Sequence, residues 1–238
     1  MTGRTVTITV SGSAQRHYSP NRCTVHLGLH ADGSDRQAAA DQVTAAAVSI
    51  TDAVTALVEQ PRSPVARWSL DQIQHSRSRP YHRDGKQRPW VYRSSASATV
   101  TFKDFAALGP FIDEVADVEA VSVGHLQWWL TRKVEAKKTA HVRDLAVQDA
   151  LAKAQEYTQG LGYSEFHAIA IADPGMLGLS TGGQQYLSAP GGIPAARAMS
   201  ALPSDEIPMI ELTPDRITVS ADVEARFEAI RPGREQDS

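Results

Sequence analysis

The sequence predicts an α+β protein: two layers, a mainly antiparallel sheet with helices packed on one face, and a long projecting β-hairpin. Three observations predict it. Strict alternation of apolar and polar residues marks strands at both ends of the chain, near residues 4–13 and 215–227. Long stretches with three- and four-residue apolar spacing mark helices between them. The strands and helices do not take turns as a parallel βαβ array requires, which removes the doubly wound alternative.

In chain order, Val6, Ile8 and Val10 alternate with Thr5, Thr7 and Thr9, giving a half-buried strand. The turn signal Ser19-Pro20-Asn21 separates it from a second strand, where Cys23, Val25, Leu27 and Leu29 alternate with Thr24, His26, Gly28 and His30. A hairpin between the two is the natural expectation. Ser34, followed three residues later by Gln37, reads as a capping box that opens a helix running to about Gln60, where Pro61 stops it. Ala39, Val43, Ala46, Ile50, Val54 and Leu57 form its apolar stripe. Two long strands, near 65–79 and 88–102, flank Asp84-Gly85, a hairpin-tip signal. A short helix near 104–115, a strand near 121–130 and the longest helix, near 134–159, follow. That last helix turns Val142, Ala146, Ala150, Ala154 and Tyr157 inward and ends at Gly160 and Gly162. After a strand near 166–172, residues 173–206 hold six glycines and four prolines with no sustained period, a loop of the length that tends to be functional or interfacial. The expected organisation is a single domain over residues 1–232 and a flexible tail over 233–238.

Composition narrows the function. The chain has 238 residues, 42% of them hydrophobic and 21% charged, with net charge −3, which excludes general disorder and a wholly basic nucleic-acid binder. No apolar run reaches membrane-spanning length and the N-terminus lacks a signal-peptide core, so a cytoplasmic location is expected. The one cysteine, Cys23, cannot form an internal disulfide and shares its strand parity with core residues. His26 and His30 share a strand face, but four residues of strand rise, about 13 Å, hold them too far apart to bind one metal ion unaided. Hydrolase, zinc-protease and phosphate-loop signatures are absent. No catalytic residue, cofactor or metal is expected.

Charge distribution says more. Between His75 and Arg93 six cations face one anion, a local charge of +5 that leaves −8 for the rest of the chain. Arg77, Arg79, Arg83, Lys86 and Arg88 interleave there with Tyr81, Trp90 and Tyr92. That mixture suits a protein interface, since Arg, Tyr and Trp are enriched in them. It also suits stacking on bases beside phosphates, the weaker reading, and cations on projecting strands block stray edge pairing without any partner. Trp128-Trp129 extends the argument, because neighbours on a strand face opposite sides and one indole can reach the second sheet face. A basic arm on an acidic body points to contacts between copies of the chain, or with another protein. Nucleic-acid or anionic-ligand binding by the arm, and an enzyme site beneath the 173–206 loop, are the alternatives.

Four segments together resemble the SIMPL-domain family. They are Thr7-Ile-Thr-Val-Ser-Gly-Ser-Ala14 with Pro20-Asn21; Asp71-Gln-Ile-Gln to Arg79-Pro-Tyr81 with the strand and helix from Tyr92 to Leu108; the alanine-rich stretch from Ala140 to Gly162; and Ile210-Glu-Leu-Thr-Pro214 to Phe227. Asn21 stands where the family usually has Asp, and Asp215 where it usually has Gly. The resemblance implies a two-layer α+β fold, homo-oligomerisation, links to stress response and envelope integrity, and no established catalytic residues. Many members are exported. The expected role is therefore that of a non-enzymatic, homo-oligomeric interaction protein.

Overall fold

The computed structural model describes residues 5–79, 89–178 and 214–231. Eleven elements appear in order among them: β1 (Thr5–Tyr18), β2 (Arg22–Gly33), α1 (Arg36–Val58), β3 (Val65–Leu70), β4 (Gln74–Ser78), β5 (Val91–Phe102), α2 (Leu108–Ala116), β6 (Val121–Trp129), α3 (Arg132–Gly160), β7 (Glu165–Ala172) and β8 (Ile217–Ile230). The fold is α+β, with helices packed on antiparallel sheets. The strands divide between two sheets, one ordered β1-β8-β7 and one ordered β3-β5-β2-β6 with β4 also on β5. The residues gather correspondingly into two compact units, one built on β1, α3, β7 and β8 and the other on β2 to β6 with α1 and α2.

The hairpin expected of the first two strands does not form: β1 joins β8, while β2 pairs antiparallel with β5 and β6. Alternation predicts which side of a strand is buried and says nothing about which strand lies beside it. In the first unit, Ile8 and Val10 of β1 and Val223, Ala225, Phe227 and Ala229 of β8 face the buried stripe of α3, made of Val142, Ala146, Ala150, Ala154 and Thr158. The stripe is small because the backbones approach closely. A Cβ on Gly12 would fall on the carbonyl oxygen of Ala146, so only glycine fits beneath the helix there. Beside it, the Asp149 carboxylate accepts from the Ser13 amide at 2.9 Å and from Lys153 at 2.7 Å, and Lys153 also donates to the Ser11 carbonyl. These bonds hold the Asp149 carboxyl below its ordinary range, the Lys153 hydrogen bond contributing most.

In the second unit, α1 lays Val43, Ile50 and Val54 on Val25, Leu27 and Leu29 of β2 and on Ala98, Val100 and Phe102 of β5. Phe111 of α2 closes the core against Phe102, with ring centroids 5.2 Å apart. The α1 cap is Asp35, one residue past the expected Ser34, and its carboxylate accepts from the amides of Gln37 and Ala38. The long strand expected over 65–79 is interrupted at 71–73, so that β3 and β4 pair in turn along β5. Asn21, just before β2, ties the start of that strand to the end of β6. It accepts from the Thr131 amide at 2.9 Å and donates to the Thr131 hydroxyl at 3.2 Å.

Candidate functional site

The basic segment enters the second unit through β4 and the start of β5, in the register His75↔Ser94, Ser76↔Arg93 and Arg77↔Tyr92. Strand alternation sorts its side chains. On β5 the residues facing α1 and α2 run Phe102, Val100, Ala98, Ala96, and the same parity continues as Ser94 and then Tyr92. His75 and Arg77 of β4 lie opposite these last two and share their side of the sheet. The apolar lining therefore gives way to a polar, cationic one along a single face. Arg93 falls on the other face, where its guanidinium meets the Asp32 carboxylate at 3.2 Å.

Both Arg77 and Arg79 lie over the Trp90 indole, at 4.7 and 4.3 Å from its ring centroid. Contacts of this kind contribute about 0.5–1 kcal/mol each at exposed sites and favour these guanidinium positions over the ring. Every residue of β4 is exposed. The described part of the arm remains joined to β2 as far as Tyr92, which pairs with Gly33, so Arg77 and Tyr92 occupy the rim of a sheet three strands wide. Tyr81, Arg83, Lys86 and Arg88, the residues over which the sequence predicts a projecting tip, lie outside the described residues, as does the expected 173–206 loop from residue 179 onward. Its first turn is described: the Glu224 carboxylate accepts from the amides of Gly175 and Leu177, and Arg226 donates to the Leu177 carbonyl.

Sequence reasoning did not connect Arg36 with this region. As the first residue of α1, it lines a cleft of about 460 Å³ together with His75, Ser76, Arg77 and Tyr92. The His75 Nδ1 lies 2.9 Å from the Ser94 hydroxyl, which is itself buried. No pattern in the sequence joins residue 36 to residue 77. The β2–β5 register does, because it sets Gly33, three residues before Arg36, against Tyr92.

The two tryptophans part as strand geometry requires. Trp128 packs on the helix side, edge-on to Phe105 with ring centroids 5.0 Å apart. Trp129 lies on the second face, its indole nitrogen donating to the Thr24 hydroxyl at 3.0 Å under the Arg67 guanidinium. That second face is hydroxyl-rich. Thr24 bonds Thr101 and Ser69 bonds Thr99 across strands. It also carries His26, stacked on His125 at 4.2 Å between ring centroids. A register shift between Val25 and Leu27 produces the stack: β6 spends two residues, Gly124 and His125, opposite one of β2. Gly124 is needed there, since a Cβ would come within 2.9 Å of the His26 carbonyl oxygen.

Cys23 is fully buried in the second unit's core, and desolvation pushes its thiol up to about 11, so it carries no thiolate near neutrality. Among the described residues no group of three or more His, Cys, Asp or Glu is placed to hold a metal ion, and no helix is long and apolar enough to cross a membrane.

Fold and surface together define a class: an α+β protein of helix-backed antiparallel sheets that presents a cationic, aromatic rim. The chain belongs to the SIMPL family, described as a protein of unknown function (DUF541), which it matches over residues 8–227. The match spans both units. No curated protein matches the chain.

Proposed function

We propose that the protein acts without catalysis, as a self-associating interaction protein that grips a second copy with the helix-side face of its basic arm. One observation carries this reading: Arg77, Arg79, Trp90 and Tyr92 are gathered on a single exposed face, with the two guanidinium groups already stacked on the indole. Side chains fixed before contact lose less entropy on binding, and Arg, Trp and Tyr are the residues that dominate interface energetics. The acidic remainder of the chain supplies the complementary charge. Trp129, on the second face of the same sheet, is a further contact residue in this proposal. The setting we propose, in stress response or envelope integrity, rests on the family resemblance alone.

Light scattering on the full chain at micromolar concentration tests the reading. The expected mass is a multiple of the 25.7 kDa chain. Replacing Arg77 and Arg79 together by Glu lowers that mass, and lowers it more at low salt, where surface charges are less screened. A monomer with an intact arm overturns the proposal. Salt-dependent capture of single-stranded nucleic acid by the wild type, lost in the same variant, moves the arm's role to nucleic acid instead.

A further inference from the structure

We propose that the cleft between the first turn of α1 and the helix-side rim of β4 and β5 binds a small dianionic oxyanion, a phosphate or phosphomonoester. Self-association is not required for it, and the two readings fail separately. Each described residue that lines the cleft carries a side-chain donor: Arg36, His75, Ser76, Arg77 and Tyr92. Among the described residues that line it, none is acidic. A guanidinium fork pairs with two phosphate oxygens at once, and the cleft offers two guanidinium groups from separate elements.

The donors are braced. Arg77 is held over Trp90, and the His75 ring is held through Nδ1 on the buried Ser94 hydroxyl, which leaves Nε2 as its nitrogen for a ligand. Tyr92 is fixed by its place in a three-stranded register. Such bracing reduces the ordering that a ligand must impose. The helix terminus is not what attracts the anion, because the Asp35 carboxylate already accepts from the amides of Gln37 and Ala38. Side-chain charge is. At about 460 Å³ the cleft exceeds a bare phosphate and has room for a small organic group attached to it, as ligand sites of this size commonly do.

The test is calorimetric titration of the full chain at low ionic strength with inorganic phosphate, with glycerol phosphate and, as a monoanion, with acetate. Saturable binding of a phosphate species, and none of acetate, is expected. Tighter binding of glycerol phosphate than of inorganic phosphate marks an organic phosphomonoester as the ligand; equal binding marks phosphate itself. Arg36→Gln and His75→Gln each weaken binding about tenfold, the usual cost of one charge-assisted hydrogen bond. Arg93→Gln, on the opposite face, leaves binding unchanged. Thermal melting shows that each variant is folded, and light scattering shows that Arg36→Gln keeps the wild-type mass. The proposal is overturned by absence of saturable binding to wild type, by equal loss in Arg93→Gln, or by undiminished binding when Arg36 and His75 are both replaced.

Discussion

Two helix-on-sheet packings coexist in this chain, and they achieve burial by opposite means. In the unit built on β1, α3, β7 and β8, the helix presents mostly alanines and rests on Gly12, so that backbone meets backbone and little side-chain volume intervenes. In the unit built on β2 to β6, α1 also buries alanines, but among them Val43, Ile50 and Val54, with Phe111 of α2, fill the space against Val100 and Phe102. The first packing is vulnerable to added atoms and the second to removed ones, because a close-packed interior tolerates neither overlap nor void.

The comparison breaks most visibly at Gly12. Gly12→Val drives two methyl groups into the backbone of α3 and costs about 5 kcal/mol or more, at the extreme of overpacking effects and enough to unfold the unit. Chemical denaturation followed by far-ultraviolet circular dichroism reads the loss, and wild-type stability in that variant would show that α3 can lift away without penalty. Next comes Phe111→Ala, expected to cost about 3–5 kcal/mol through the cavity left beside Phe102. The same denaturation experiment checks it, and a loss below about 1 kcal/mol would mean that this core refills as readily as a loosely packed one.

The smallest effect sharpens the first packing. Because the Asp149 carboxyl is held below its ordinary range, the stabilisation it gives is fully present above the unfolded carboxylate value and is lost as pH falls through the lower folded value. Asp149→Asn therefore lowers the melting temperature slightly at neutral pH, where the stabilisation is fully present though small for an exposed pair, and the difference from wild type closes as pH falls below about 4. A profile identical to wild type would remove Asp149 and Lys153 from the account of how α3 is held to β1.

Much of this was legible beforehand, for reasons that differ by element. The α3 stripe was readable because alanine spacing repeats every four residues, and only its last member differed, Thr158 taking the inward place expected of Tyr157. The inward set of β2 was readable because alternation is a local property of strands. The β1–β2 pairing was misread because both strands carry the same apolar alternation, which is indifferent to which neighbour supplies the hydrogen bonds. The break at 71–73 was hidden in a stretch whose polar residues fit either a continuous strand or two. At the site, the sequence marked Arg77, Arg79, Trp90 and Tyr92 as one cluster by their density, yet gave no reason to add Arg36 or to separate Arg93.

What the amino-acid order determined by itself is therefore the local layer: which segments curl or extend, which of their sides avoid water, and where positive charge is concentrated. These follow from backbone sterics and periodicity within a few residues of chain. The tertiary structure decided the partners: β8 beside β1, His125 against His26 through the Gly124 bulge, and Arg36 across from Arg77. Such choices depend on hydrogen-bond register and shape fit between segments tens of residues apart, and no local pattern encodes them.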